Sequence, residues 1–115
     1  MIIETNGLKG KTTDFAHLEE TTQKLGFVRW QWEYTRATYD YKIEDKAAGA
    51  EYYLRFNIRV ESGKLESPYA VVRLEDSYIG RATFPHGLDY ESPIPEPILK
   101  TAKQKLAQLQ EQLSD

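Results

Sequence analysis

The chain has 115 residues, 15 of them basic and 18 acidic, which gives a net charge of −3, and it contains no cysteine. The missing cysteine excludes disulfides, iron–sulfur clusters, thiolate zinc sites and a cysteine nucleophile, and it suits a reducing cytoplasm. The acidic balance lacks the positive field that nonspecific binding of nucleic acid or of an anionic membrane requires, so we expect neither partner.

The length predicts a single domain over residues 1–115. The residues from Met1 to Gly7 lack the basic and apolar regions of a signal peptide. The apolar runs elsewhere are too short to cross a bilayer. We therefore expect a cytoplasmic protein.

The N-terminal part of the chain predicts a short strand followed by a helix. Residues 2–5 are β-prone, and residues 12–14 supply the hydroxyl and carboxylate groups that cap helices. Apolar residues then recur at helical spacing, at Phe15, Leu18, Thr22 and Leu25. Gly26 stands where a helix-terminating glycine is expected, and we predict a positive φ there.

Alternating apolar and polar residues predict four further strands, at 27–35, 39–44, 52–60 and 70–75. Residues 78–84 allow one more short strand. After three prolines, leucine and alanine repeat at helical spacing and predict a closing helix, at Leu99, Ala102, Leu106, Leu109 and Leu113. The predicted fold is α+β in the order β-α-β4-α, an antiparallel sheet with both helices packed on one face.

One face of this predicted sheet is rich in aromatic residues. If Tyr34 lies opposite Tyr39, and Ile43 opposite Tyr52, six aromatic side chains share that face: Trp30, Trp32, Tyr34, Tyr39, Tyr41 and Tyr52. Their polar tips need hydrogen-bond partners if they are buried. Two interpretations are open, a filled core with its tips at the rim or a cavity that binds a neutral aromatic small molecule.

The opposite face of the predicted sheet is charged. The same alignment places Asp40 opposite Arg55 and Arg29 near Glu44, and if Ile58 lies opposite Val72, Glu75 joins Asp40 and Arg55 in one row. This face is either a charged binding surface or a solvated face with cross-strand ion pairs.

The sequence contains no phosphate-binding loop, dinucleotide fingerprint or H-E-x-x-H pattern, so we expect no cofactor, no metal and no catalytic residue. The only polar constellation is a loop cluster in which a histidine could act as a general base: His86, Asp89, Tyr90, Glu91 and Ser92. Such loops are commonly polar for reasons of turn structure.

Several short segments together carry a family resemblance: Leu25-Gly26-Phe27, Tyr39-Asp40-Tyr41-Lys42-Ile43, Tyr53-Leu54-Arg55, Leu65-Glu66-Ser67-Pro68 and Val71-Val72-Arg73-Leu74. Over roughly residues 8–90 the chain resembles the YugN-like family, small uncharacterised proteins of Gram-positive bacteria. The resemblance implies a TBP-like α+β fold. It transfers no catalytic residue, and the fold name implies nothing about DNA.

The leading functional hypothesis is a non-enzymatic cytoplasmic binding or interaction protein, whose partner is another protein or a second copy of the chain. The alternative is a small-molecule carrier or small enzyme that uses an aromatic cavity between the sheet and the helices.

Overall fold

The computed structural model describes residues 1–5, 7–31, 33–65, 67–83 and 87–113. In these residues the chain forms an open antiparallel sheet of seven strands and two helices. The strands are β1 (Ile2–Ile3), β2 (Thr12–Asp14), β3 (Val28–Gln31), β4 (Arg36–Asp45), β5 (Ala50–Ser62), β6 (Val71–Thr83) and β7 (Gly87–Asp89). The helices are α1 (Phe15–Leu25) and α2 (Glu96–Leu113).

The sheet order is β1-β6-β5-β4-β3, and β2 and β7 also pair with β6. The α+β class with an antiparallel sheet is therefore confirmed. The predicted β-α-β4-α order omits two short strands, β2 and β7, which lack the alternation that reveals longer strands. Residues 71–75 and 78–83 of the two predicted segments belong to one strand, β6, and Phe84 lies outside the described residues.

The register between β4 and β5 is the predicted one, with Ile43 opposite Tyr52 and Asp40 opposite Arg55. The register between β5 and β6 differs from the prediction, because Arg55 lies opposite Tyr78 rather than Glu75. Two register shifts interrupt this pairing, between Phe56 and Ile58 and between Val60 and Ser62. The first shift inserts an extra residue into β6 between Leu74 and Ser77, so the alternation of β6 is interrupted there and the predicted register does not continue past it.

The predicted pairing of β3 with β4 is wrong. Trp30 lies opposite Thr38, and Arg29 lies opposite Tyr39. The strand ends at Gln31 rather than at residue 35, and residues 33–35 form a bend. This longer connection moves the register by an odd number of residues, and such a shift exchanges the two faces of a strand.

The inner face of the sheet, which carries Tyr39, Tyr41 and Phe56, packs into a core that includes side chains from both helices. Glu19 of α1 accepts a hydrogen bond of 2.7 Å from the Tyr39 hydroxyl. The ammonium group of Lys105 in α2 lies 4.5 Å from the centre of the Tyr41 ring. Each helix thus contacts the inner face of β4 through at least one side chain.

Substitution of Gly26 tests whether a left-handed glycine packed against Tyr41 ends α1. Its φ is +90°, as predicted, and a Cβ added there would lie 3.2 Å from Cε1 of Tyr41. Gly26→Ala should therefore incur both a left-handed backbone penalty and a steric conflict with Tyr41. Gly49→Ala is the matched control, because Gly49 has φ +66° and no heavy atom within 4 Å of an added Cβ. In urea unfolding we expect Gly49→Ala to cost about 1 kcal/mol and Gly26→Ala about 1 kcal/mol more. Equal losses would disprove the steric part of this account.

Leu106 tests whether α2 is part of the core, since only 2% of its surface is exposed. Leu106→Ala should lower the free energy of unfolding by about 2–5 kcal/mol, because it leaves a cavity in the core. Lys103→Ala, on the exposed side of the same helix, should change it by less than about 0.5 kcal/mol. If Leu106→Ala instead leaves unfolding unchanged and dissociates an oligomer, α2 is an interface rather than a core helix.

Candidate functional site

The six aromatic residues predicted to form a site do not share one face. Tyr39, Tyr41 and Tyr52 lie on the inner face, opposite the core residues Phe56, Leu54 and Ile43 respectively. Trp30 is 51% exposed on the opposite face, and Tyr34 is 57% exposed in the bend before β4. Trp32 lies outside the described residues. The shared aromatic face is therefore corrected to a tyrosine-rich inner face and an outward-facing Trp30.

The inner-face rings are packed against one another. Tyr39, 1% exposed, stacks on Phe56 with ring centroids 5.0 Å apart. Phe27 contacts Phe56 at 5.3 Å and Tyr41 at 5.6 Å. Of the two interpretations of this face, these contacts favour a filled core.

Tyr39 is buried with its hydroxyl group satisfied by α1. Burial, and then its hydrogen bond to Glu19, raise the pKa of Tyr39 above its ordinary value. Nε of Arg29 lies 3.0 Å from the same Glu19 carboxylate, and the Arg29 guanidinium lies 5.1 Å from the centre of the Phe15 ring. The predicted contact between Arg29 and Glu44 is therefore wrong, because Arg29 has turned toward the inner side of the sheet.

The outer face of the sheet, which carries Asp40 and Arg55, contains a cleft of about 620 Å³. Trp30 of edge strand β3 lies on one side, and Leu88 of β7 lies on the other. The full lining combines aromatic, aliphatic and charged side chains: Trp30, Thr38, Asp40, Glu51, Tyr53, Arg55, Ala82, Thr83, Gly87 and Leu88. The cleft was not foreseen because its walls come from β3, whose face was misassigned, and from β7, which carries no alternation.

An ion pair between the half-buried Arg55 and the buried Asp40 forms part of this cleft. Nε and Nη2 of Arg55 donate to the two carboxylate oxygens of Asp40 at 2.6 and 2.9 Å. Asp40 is only 5% exposed although it lies on the outer face. Hydrogen bonding to Asp40 raises the pKa of Arg55, so this guanidinium stays charged. Bidentate pairing of this kind fixes both side chains.

Residues 87–92, here called the strap, fold back beside the ion pair. Nη1 of Arg55 donates to the Tyr90 hydroxyl at 3.0 Å, and the Tyr90 ring meets Tyr78 edge-on at 5.2 Å. Asp89 accepts from Ser92 Oγ at 2.5 Å and from the Glu91 amide at 2.9 Å. The bond from Ser92 is the main reason that the pKa of Asp89 is lowered.

These contacts show where the described residues of the predicted polar loop cluster lie. His86 lies outside the described residues. Asp89 holds the turn to Ser92, and Tyr90 supports Arg55, so within the described strap these polar groups serve structure. The sequence signal that could have located the strap is Gly80, because an added Cβ there would lie 2.9 Å from the Tyr90 ring.

A second row of polar groups runs across the outer face beside the ion pair. Thr38 Oγ1 donates to Asn57 Oδ1 at 2.9 Å, and Asn57 Nδ2 donates to the Tyr78 hydroxyl at 3.0 Å. Glu75, predicted to join Asp40 and Arg55, lies 3.7 Å from Nε of Arg59 instead. The outer face is thus an ordered polar network around one bidentate ion pair.

Among the described residues, no group of three or more His, Asp or Glu side chains is arranged to hold a metal ion. None of the helices in the described part of the chain is long and apolar enough to cross a membrane.

The fold and cleft define an α+β protein with two helices and an open antiparallel sheet whose outer face carries the candidate site. The model of the YugN-like family matches residues 3–114, so the chain belongs to this family, as the sequence resemblance predicted.

Two relatives come from Bacillus subtilis (strain 168). The uncharacterized protein YlbA is 30% identical over 101 residues, which span 87% of this chain and 82% of YlbA. The uncharacterized protein YugN is 29% identical over 90 residues, which span 77% of this chain and 66% of YugN. The crystal structure of YugN from Geobacillus kaustophilus HTA426 is similar with a TM-score of 0.85 and 32% identity, covering 99% of this chain and 95% of that one.

Substitution of Gly80 tests whether the strap places the Tyr90 ring against β6. Its φ lies outside the left-handed region, so alanine should fit the strand itself and conflict with the Tyr90 ring. We expect Gly80→Ala to destabilise the protein by about 1–3 kcal/mol, as overpacking does. In a Tyr90→Ala background the same substitution should cost clearly less, because the ring is gone and only the Asp89 carbonyl oxygen, 3.2 Å from the added Cβ, remains close. Chemical denaturation of the four proteins measures both values, and an equal cost in the two backgrounds would place Tyr90 elsewhere.

Proposed function

We propose that this protein is a non-enzymatic binding protein of the cytoplasm and that its binding site is the outer-face cleft. The observation that carries the proposal is an exposed tryptophan beside a bidentate ion pair with a buried carboxylate, in one concave site. Trp30 exposes a large rigid apolar surface, and Asp40 and Arg55 supply fixed polar groups that line the same cleft. Tryptophan and arginine are the residue types that most often dominate binding energy.

The dimensions of the cleft support a small-molecule site. Its volume of about 620 Å³ falls within the ~300–1,000 Å³ range of ligand pockets. Its lining also has the usual composition of such pockets, in which a few polar groups are placed among aromatic and aliphatic side chains.

The state of the charged groups supports binding rather than catalysis. Both carboxylate oxygens of Asp40 accept from Arg55, and Glu51 lies 3.4 Å from the Lys42 ammonium. A general base or nucleophile needs a lone pair available to a substrate. The packed inner face likewise gives little support to an enzyme or carrier that uses a cavity under the helices.

Family membership supports two further statements about the whole chain. We infer that residues 1–115 form one domain, since the family model spans residues 3–114. We also infer a TBP-like arrangement, with α1 and α2 on the inner face of the β3–β6 sheet. The contacts of Glu19 with Tyr39 and of Lys105 with Tyr41 support this arrangement.

One observation favours a protein partner or a second copy as a second candidate. Val28 and Trp30 are 59% and 51% exposed and lie on β3, which ends the strand order of the sheet. Edge strands with apolar side chains are common sites of strand addition.

The test of the proposed function is a thermal-shift screen of a diverse small-molecule library, followed by calorimetric titration of the hits. Trp30→Ala should weaken the hits at least tenfold. Tyr34→Ala, which removes an equally exposed aromatic ring outside the cleft, should leave their affinities unchanged. A library without any Trp30-dependent ligand would contradict the proposal. If the protein instead dimerises with increasing concentration and Trp30→Ala abolishes the dimer, this surface is a self-association interface.

A further inference from the structure

We infer that the cleft takes an uncharged, planar heterocycle with an amide-like edge and discriminates against the same ring when it carries a phosphate or carboxylate. This inference rests on the proposed function, because it specifies the ligand class of the same cleft. Three properties of the lining carry it, and they concern charge, shape and hydrogen bonding.

The charge of the cleft disfavours anions. Arg55 is the only cation among the lining residues of the described chain, and its charge is compensated by the bidentate Asp40 carboxylate. Glu51 adds a second carboxylate to the lining, and it shares Lys42 with Glu44, at 3.4 Å from each. A phosphate entering the cleft would thus meet an arginine whose charge Asp40 already compensates, and one further carboxylate of its own sign, Glu51.

The charge of the cleft offers no strong site for a cation either. The Asp40 oxygens already accept hydrogen bonds from Arg55, which itself repels a positive ligand. The Glu51 side chain is 47% exposed, so water screens its attraction for a ligand cation. An uncharged ligand meets neither cost.

The shape of the cleft favours a flat ring system. Trp30 and Tyr53 supply aromatic surface, and Ala82 and Leu88 supply aliphatic surface on the side of β6 and β7. An aromatic side chain stacks on planar rings, and this stacking is largely independent of ring identity.

Hydrogen-bonding groups of both kinds lie in the cleft. Arg55 makes three hydrogen bonds to Asp40 and Tyr90, and a guanidinium carries further N–H donors. Thr38 Oγ1 donates a hydrogen bond to Asn57 Oδ1, so its own lone pairs can accept one from a ligand. A ligand edge with a carbonyl or ring nitrogen beside an N–H group matches donors and acceptors together.

Two matched pairs of probes test the inference: riboflavin and its 5′-phosphate, and adenosine and its 5′-monophosphate. Titration of the full chain, followed by amide chemical shifts, gives a dissociation constant for each probe. We expect an uncharged member of at least one pair to bind and its phosphorylated partner to bind at least tenfold more weakly. Trp30→Ala should remove the binding.

Glu51→Gln gives a second, independent measurement, because Glu51 is exposed and its loss should leave the fold intact. Removing one carboxylate should reduce the discrimination against the phosphorylated probe by about threefold, the size expected for one charge near a protein surface. Glu75→Gln removes a carboxylate that pairs with Arg59 and does not line the cleft, so it should leave the ratio unchanged.

The outcomes separate this inference from the proposed function. Equal or tighter binding of the phosphorylated member overturns the inference, as does a library whose Trp30-dependent hits are charged or non-planar. In those cases the cleft is still a binding site and the proposed function stands. If no compound of any class binds in a Trp30-dependent way, the proposed function fails and the inference fails with it.

Discussion

The outer face of this protein depends on one interaction, the bidentate ion pair of the buried Asp40 carboxylate with Arg55. A charge removed from water is costly unless it is paired and hydrogen-bonded, and here two parallel N–H···O bonds satisfy the carboxylate. Tyr90 then binds the same guanidinium and brings the strap against β6, where only a glycine at position 80 leaves room for its ring. The ion pair and the strap, which includes β7, are therefore one connected structure. The cleft lies between this structure and Trp30.

The inner side of the sheet has a corresponding polar anchor. Glu19 accepts from the Tyr39 hydroxyl and pairs with Arg29, which joins α1 to β3 and β4. This anchor determines the orientation of Trp30. Because Arg29 faces α1, its neighbour Trp30 must face outward, since adjacent residues of a strand point to opposite sides. An arrangement that satisfies a buried tyrosine thus also supplies the aromatic wall of the candidate site.

The parts that could be predicted from the sequence are those with long, regular patterns. The hairpin of β4 and β5 is long and strongly alternating, and its register follows from residues such as Ile43 and Tyr52. The helices, the Gly26 cap and the family were likewise predictable. The orientation of β3 could not be predicted, because a strand of four residues has little apolar pattern and a tryptophan in it is expected to be buried. An arginine can also lie against the core when its stem packs over a ring, as Arg29 does over Phe15. The cleft could not be predicted, because it depends on this face assignment and on a strap located only by tertiary contacts.

The most direct measurement of the central claim is a double-mutant cycle on the ion pair, with Asp40→Asn, Arg55→Gln and the double variant compared by chemical denaturation. A bidentate pair that organises the outer face should give a coupling free energy above about 1 kcal/mol. The stability losses of the two single variants should therefore sum to more than the loss of the double variant. The equivalent cycle on the exposed pair of Arg59 and Glu75 should give less than about 0.5 kcal/mol. A coupling for Asp40 and Arg55 that is as small as that of the control pair would contradict the account, because the outer face would then be an ordinary solvated surface.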